Sequence, residues 1–110
     1  MDRKKIKRPL NECITRIKKL FNPEQIILYG SFARNEATEW SDIDLLVLAD
    51  FKKMTLEQRL KKIDQATSDI KSNRLFDIRA LTIDEYNQKK PWTIYGEIKK
   101  EGIIIYNQSL

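Results

Sequence analysis

The sequence contains no histidine and a single cysteine, Cys13, among its 110 residues. Lack of histidine excludes Ser-His-Asp and Cys-His catalysis, an imidazole acid or base, and zinc sites built on histidine. A single thiol excludes an internal disulfide and a cysteine cluster. No apolar run approaches the roughly 20 residues of a membrane helix, and the charged start leads into no signal core, so we expect a cytoplasmic protein. Its chemistry must then use carboxylates, hydroxyls, lysines, backbone amides or a bound metal ion.

The excess of positive charge belongs to the N-terminus. The net charge of the chain is +5. Residues 1–20 carry eight basic and two acidic side chains, while the other ninety residues carry 13 basic and 14 acidic side chains. We expect a single domain over residues 1–110 in which residues 1–8 form a basic, frayed terminus. An acidic partner or nucleic acid could use the cluster, but the near-neutral remainder of the chain makes nucleic acid the weaker expectation.

The apolar pattern predicts alternating helices and strands. Helices are predicted over residues 9–21, 31–37 and 56–73. A further helix begins at residue 82 and is interrupted by Pro91, and a last helix ends before Gly102. Strands are predicted over residues 24–29, 42–48, 75–81 and 103–106. Thr55 and Thr82 each begin a capping box. We expect Trp40 and Trp92 in the core or its cover. The predicted fold class is α/β or α+β, with helices packed against a small mixed sheet.

Two polar features interrupt the apolar pattern. Gly30-Ser31 stands at a predicted strand-to-helix junction, where glycine permits a tight turn and the amides of the next turn attract phosphate. Asp42 and Asp44 share one face of the next strand, with Cα atoms roughly 6.5 Å apart. Such carboxylates repel each other unless a cation lies between them, and oxygen ligands favour Mg²⁺ or Mn²⁺ together with substrate phosphates. The pair predicts a metal-bound phosphate substrate.

A third carboxylate stands in the middle of another predicted strand. Asp77 lies between Phe76 and Ile78, where a charge is costly unless it is paired. It is the best candidate for a third metal ligand. Arg79, two residues further on, shares its face, so an Asp77–Arg79 ion pair is the structural alternative.

These residues resemble a known family. Gly30-Ser31-Phe32-Ala33-Arg34, followed by Ser41-Asp42-Ile43-Asp44, is similar to the signature of the DNA polymerase beta-like nucleotidyltransferase superfamily, in which Gly-Ser precedes Asp-x-Asp by about ten residues. The whole chain resembles the minimal nucleotidyltransferase group. Members of that group are typically encoded beside a toxin of the HEPN (higher eukaryotes and prokaryotes nucleotide-binding) family and act as its antitoxin.

The resemblance implies a role for each matching position. Gly30 and Ser31 would hold the triphosphate of ATP, Asp42 and Asp44 would bind two divalent ions, and Asp77 would help bind the catalytic ion and deprotonate the acceptor. Arg34 would support the loop or the phosphates, with a salt bridge as its alternative role. The implied reaction is transfer of AMP to a tyrosine of the partner toxin. Asn35 departs from the glycine of many members, so we expect a slightly altered helix there.

Two further hypotheses stay open beside this enzyme. The chain could neutralise its toxin by occlusion without catalysis, because a domain this small shows no obvious nucleobase pocket. It could instead bind nucleic acid through residues 3–19, in which case the affinity would fall steeply with salt. The sequence also leaves open whether the chain forms a homo-oligomer or a hetero-oligomer.

Overall fold

The computed structural model describes residues 3–51 and 53–109 as four strands, four α-helices and one short 3₁₀ turn. The 3₁₀ turn (Arg3–Ile6) runs directly into α1 (Lys7–Phe21); the other helices are α2 (Leu56–Thr67), α3 (Ile83–Asn87) and α4 (Ile94–Glu101). The strands are β1 (Gln25–Tyr29), β2 (Ile43–Leu48), β3 (Phe76–Leu81) and β4 (Ile103–Asn107). Within the described ranges, no helix is long and apolar enough to cross a membrane.

The strands form one mixed sheet in the order β3-β2-β1-β4. β1 runs antiparallel to both β2 and β4, whereas β2 and β3 are parallel neighbours. Helices cover both faces, which confirms the α+β class. Because β2 and β3 are parallel, their first residues lie at the same edge of the sheet, and these are the segments that carry the predicted carboxylates.

Each face of the sheet has its own apolar cluster. Ile26, Leu28 and Leu45 belong to the cluster beneath α1 and α2. Leu46 and Leu48 belong to the cluster beneath α3 and α4. The central strands β1 and β2 are therefore apolar on both sides, which explains their nearly unbroken hydrophobic sequence. Asp44 is the exception, since it shares the face of Leu46 and Leu48.

The prediction of a helix over residues 31–37 is wrong. Residues 31–35 form one turn, in which the Arg34 amide donates to the Gly30 carbonyl (3.1 Å). The turn ends at once because Asn35 adopts a left-handed φ of 59°, and the Glu36 amide donates back to the Ser31 carbonyl (2.8 Å). This is a Schellman-type ending, and asparagine is the residue after glycine that best tolerates it. Asn35 thus stops the helix where an altered helix was expected.

The long helix predicted over 56–73 ends early, at Thr67. Tertiary contacts hold the following residues outside the helix, because Arg16 of α1 forms an ion pair with Asp69 and the Arg8 guanidinium donates to the Lys71 carbonyl (2.6 Å). By contrast, the four strands agree with prediction to within a residue or two at each end. The capping boxes at Thr55 and Thr82 are confirmed.

The N-terminus and the tryptophans also differ from expectation. Residues 3–8 are helical rather than frayed, and Ile6 is buried in the core; residues 1–2 of that segment lie outside the described ranges. Trp40 and Trp92, expected in the core or its cover, are 86% and 80% exposed. The burial of Ile6 fixes the basic terminus against the domain.

Candidate active site

The parallel pairing of β2 and β3 places Asp44 directly beside Asp77. Neighbouring strands lie about 4.8 Å apart, so this pair is closer than Asp42 and Asp44 along their own chain segment. On its other side Asp44 pairs with Tyr29 of β1. The end of β1 and the starts of β2 and β3 thereby bring Tyr29, Asp44 and Asp77 together at one end of one sheet face.

Gly30 fits against this carboxylate. It follows β1 directly and has a φ of +75°, a conformation that side chains other than glycine rarely adopt. A Cβ atom at this position would overlap Asp44 Oδ2 and lie 3.1 Å from its Cγ. The backbone amides of residues 31–33 come next in the chain, before the Arg34 amide, which closes the turn by donating to the Gly30 carbonyl. The Gly-Ser turn and the carboxylate are thus in contact, as a site that holds a phosphate beside an acidic group requires.

Five of the six predicted site residues line a single cleft of about 330 Å³; they are Gly30, Ser31, Arg34, Asp44 and Asp77. Asp42 precedes β2, is exposed and does not line this cleft. Its negative charge nevertheless contributes to the raised pKa of Asp44. The structure therefore groups the predicted residues but sets Asp42 at the margin.

The two arginines of the cleft are held differently from each other. Arg34 lies within 3.6 Å of the carboxylates of Glu36 and Glu101, so the salt-bridge alternative describes it in this structure. Arg79 donates from Nε to the Tyr29 hydroxyl (2.9 Å) and from Nη1 to the Tyr95 hydroxyl (3.4 Å). An Asp77–Arg79 ion pair is absent from the described part of the chain. Asp77 is consequently available to a ligand.

The cleft also contains residues that no sequence motif marks as site residues. The second wall comes from α4 and includes Ile94, Glu97, Ile98 and Glu101. Glu97 and Glu101 are four residues apart, so they share one helix face. That spacing is visible in the sequence, but nothing in the sequence tells which face of α4 turns toward the carboxylates.

Asp44 is electrostatically strained. Burial, followed by the negative charges of Asp77 and Asp42, raises its pKa from 3.8 to about 6, while Arg79 and Arg34 act in the opposite direction. Burial likewise raises the pKa of Tyr29 to about 12, so its hydroxyl stays protonated and accepts from Arg79. An ionised Asp44 therefore lacks a sufficient positive counter-charge within the chain.

This strain predicts that Asp44→Asn stabilises the fold at neutral pH. The pKa of Asp44 in the folded state lies above its unfolded value of 3.8. The Asp44 carboxyl therefore contributes its full stabilisation of the fold below pH 3.8 and loses this contribution as the pH rises through about 6. We expect the variant to gain about 1 kcal/mol at neutral pH after allowance for solvent screening, and nothing below pH 3.8. Urea unfolding across this pH range measures the gain. The exposed Asp64→Asn is the matched control, and equal behaviour of the two variants would contradict the prediction.

The donor set fits a divalent cation that is completed by its substrate. Within residues 3–51 and 53–109, no three acidic, histidine or cysteine side chains are grouped so as to hold a metal by themselves. Asp44 and Asp77 nevertheless offer adjacent carboxylate oxygens, and a cation beside them would offset the burial and the repulsion that raise the pKa of Asp44. Mg²⁺ commonly takes one or two carboxylates, with phosphates and water filling its other positions.

Comparison with known families decides the identity of this fold and motif. The sequence profile described as polymerase beta nucleotidyltransferase matches residues 11–110, nearly the whole chain. The chain belongs to this nucleotidyltransferase family. The matched range contains both the Gly30-Ser31 turn and the carboxylates of Asp42, Asp44 and Asp77.

Two relatives of this nucleotidyltransferase come from Methanocaldococcus jannaschii, and both are named as proposed protein adenylyltransferases. One is 30% identical over 88 residues, which make up 76% of this chain and 78% of the relative. The other is 45% identical over 51 residues, but these make up 44% of this chain and 35% of the relative. The chain thus spans about a third of that second protein.

Two solved structures share the nucleotidyltransferase fold. A nucleotidyltransferase crystal structure from Sulfolobus solfataricus superposes with a TM-score of 0.67 at 20% identity, covering 93% of this chain and 80% of that chain. A crystal structure described as a toxin-antitoxin with AMP-PNP gives a TM-score of 0.62 at 18% identity, covering 88% and 72%. At these identities the likeness concerns the fold alone.

Proposed function

We propose that this nucleotidyltransferase is a Mg²⁺-dependent adenylyltransferase that moves AMP from ATP to a tyrosine hydroxyl of a partner toxin of the HEPN family. The observation that carries the proposal is the register of β2 and β3, which sets Asp44 beside Asp77 with the Gly30 turn against Asp44. The names of the two relatives support a protein acceptor. The fold shared with a toxin-antitoxin structure supports a toxin as that acceptor.

The reaction is an in-line displacement at phosphorus. The acceptor oxygen forms a bond to the α-phosphorus of ATP, the bond from that phosphorus to the bridging oxygen of the β-phosphate breaks, and pyrophosphate leaves. Asp77 accepts the proton of the attacking hydroxyl, because it is exposed at the cleft and is not held by Arg79. The hydroxyl and the phosphate must be aligned before reaction, so much of the catalysis is positioning.

The other residues of the chain bind and orient the nucleotide. The amides after Gly30 and the Ser31 hydroxyl would bind the triphosphate, while Asp44, Asp77 and the marginal Asp42 would hold the cations. Mg²⁺ held there would supply positive charge that favours the phosphates and the acceptor oxygen as it loses its proton. Arg34 can exchange its two 3.6 Å carboxylate contacts for a phosphate, since neither contact is short.

Incubation of the protein with Mg²⁺, labelled ATP and its genomic neighbour tests the proposal. We expect label on the neighbour with the wild-type protein and none with Asp42→Asn/Asp44→Asn. The exposed Asp64→Asn serves as the control for charge removal away from the site. Equal labelling by the wild type and the double variant would contradict the assignment of the carboxylates.

A second candidate function is neutralisation of the toxin by complex formation without catalysis. The size of the cleft favours it, since about 330 Å³ is at the low end for ligand sites and α4 closes one side. Under this function, Asp42→Asn/Asp44→Asn would still protect cells from the toxin at full strength. Loss of protection together with loss of labelling would leave the adenylyltransferase as the function.

A further inference from the structure

A basic groove lies at the same end of the sheet as the cleft, but on the opposite face, which α1 and α2 cover. It has a volume of about 930 Å³ and is formed by the start of α1 and the loop between α2 and β3. Its charged lining consists of five basic side chains and one acidic side chain: Lys4, Lys5, Arg8, Lys71, Arg74 and Glu39. Folding thus gathers cations from two distant segments of a chain whose body is otherwise near neutral.

The walls of the groove are fixed by specific contacts. The Arg8 guanidinium donates to the Lys71 carbonyl (2.6 Å), which joins the two basic segments. Arg74 stacks over the Phe32 ring at 4.9 Å, and Ile6 is buried beneath the 3₁₀ turn. The clustered positive charge is therefore part of a defined surface. Such a surface attracts an anionic partner.

The groove adjoins the catalytic carboxylates. Arg74 Nη1 donates to the carbonyls of Thr38 and Ser41, both at 2.7 Å, so it ties the α2–β3 loop to the residues just before Asp42. Asp77 follows Arg74 by three positions, so their Cα atoms lie at most about 11 Å apart. A chain lying in the groove can therefore reach the cleft by passing around the start of β3.

The rim adds apolar contacts to the positive charge. Trp40 is 86% exposed on the loop that Arg74 holds, and Leu75 is 75% exposed at the end of the other loop. Exposed aromatic and aliphatic side chains beside charges are typical of protein-binding surfaces. Single-stranded nucleic acid is instead bound by several aromatic side chains on which successive bases stack, whereas Trp40 is the one aromatic on these two loops, 38–41 and 71–75.

We propose that this groove binds an acidic segment of the acceptor protein and so presents the acceptor hydroxyl to the cleft. The inference rests on the proposed function for the acceptor being a protein, while the groove itself rests on the charge and contacts above. The partner is defined by chemistry: clustered Asp or Glu side chains near the hydroxyl that receives AMP.

Fluorescence anisotropy with a labelled copolymer of glutamate and tyrosine tests the groove without ATP or Mg²⁺. We expect binding that weakens steeply between about 50 and about 200 mM salt. The variant Lys5→Glu/Lys71→Glu should bind about tenfold more weakly, because two attractive contacts become repulsive. The matched control, Lys61→Glu/Lys62→Glu, makes the same charge change on exposed positions of α2 and should bind within about twofold of the wild type.

The outcomes separate the groove from the enzyme. If both double variants weakened copolymer binding equally, the groove would be excluded as the binding site, because the net charge of the protein alone would then explain binding. Tighter binding of labelled oligouridylate than of the copolymer would overturn the protein partner in favour of nucleic acid. Copolymer binding that depends on Lys5 and Lys71, in a protein that transfers no AMP, would support the groove and contradict the proposed function.

Discussion

Gly30→Ala is expected to lower AMP transfer by about a hundredfold while the protein stays folded. The added methyl group would overlap Asp44 Oδ2, so the carboxylate must turn away from the position it shares with Asp77. The left-handed φ of +75° adds a backbone cost of about 1–2 kcal/mol. Steady-state transfer rates, together with urea unfolding, measure the two effects separately.

Asn35→Ala is the matched control for this variant. Asn35 has a left-handed φ of 59° at the end of the same turn, so the substitution carries a similar backbone cost. It adds no atom against Asp44, and we expect transfer within about tenfold of the wild type. If the two variants lose stability and activity in equal measure, backbone strain would explain the effect and the contact between Gly30 and Asp44 would not.

Arg59→Met is expected to lower the free energy of unfolding by about 3 kcal/mol. The Arg59 side chain is 7% exposed and pairs with Glu85 through Nη1 (2.6 Å) and Nη2 (3.3 Å). It also donates to the carbonyls of Phe51, Met54 and Ala80, which joins α2 to β3 and to the segment after β2. Methionine can fill the space but cannot replace these hydrogen bonds or the positive charge beside Glu85.

Arg16→Met, at a half-buried arginine, is the control for the Arg59 variant. Arg16 pairs with Glu12 and Asp69 at the surface, so we expect its loss to cost less than about 1 kcal/mol. The Arg59 effect should also shrink in acid. Arg59 lowers the pKa of Glu85 below its usual 4.5, so the pair stabilises the fold above pH 4.5 and loses this contribution as the pH falls through the lowered value. Equal costs for the two arginines would contradict the role of Arg59.

The strands and the nucleotide motif could be predicted from sequence because their signals are local. Apolar runs bounded by Gly30, Pro23 and Gly102 identify the strands. The spacing from Gly30-Ser31 to Asp42 and Asp44 identifies the motif within a single stretch of chain. Asp77 could be selected because a carboxylate between two apolar strand residues has no local explanation.

The remaining features depend on contacts between distant segments. The turn at Asn35 was predicted as a helix because apolar spacing does not report a left-handed residue, although asparagine is the natural candidate for one. The end of α2 depends on Arg16 and Arg8, which belong to another helix. The position of Asp42 outside the cleft, and the α4 wall with Glu97 and Glu101, follow from packing that no local pattern encodes.

The most direct test of the central claim compares ATP labelled at the α-phosphate with ATP labelled at the γ-phosphate, using wild-type protein, Mg²⁺ and the neighbouring toxin. Transfer of AMP predicts that label from the α-phosphate appears on the toxin and that label from the γ-phosphate is released as pyrophosphate. Label from the γ-phosphate on the toxin, or no label from either nucleotide, would contradict an adenylyltransferase built on Gly30, Asp44 and Asp77.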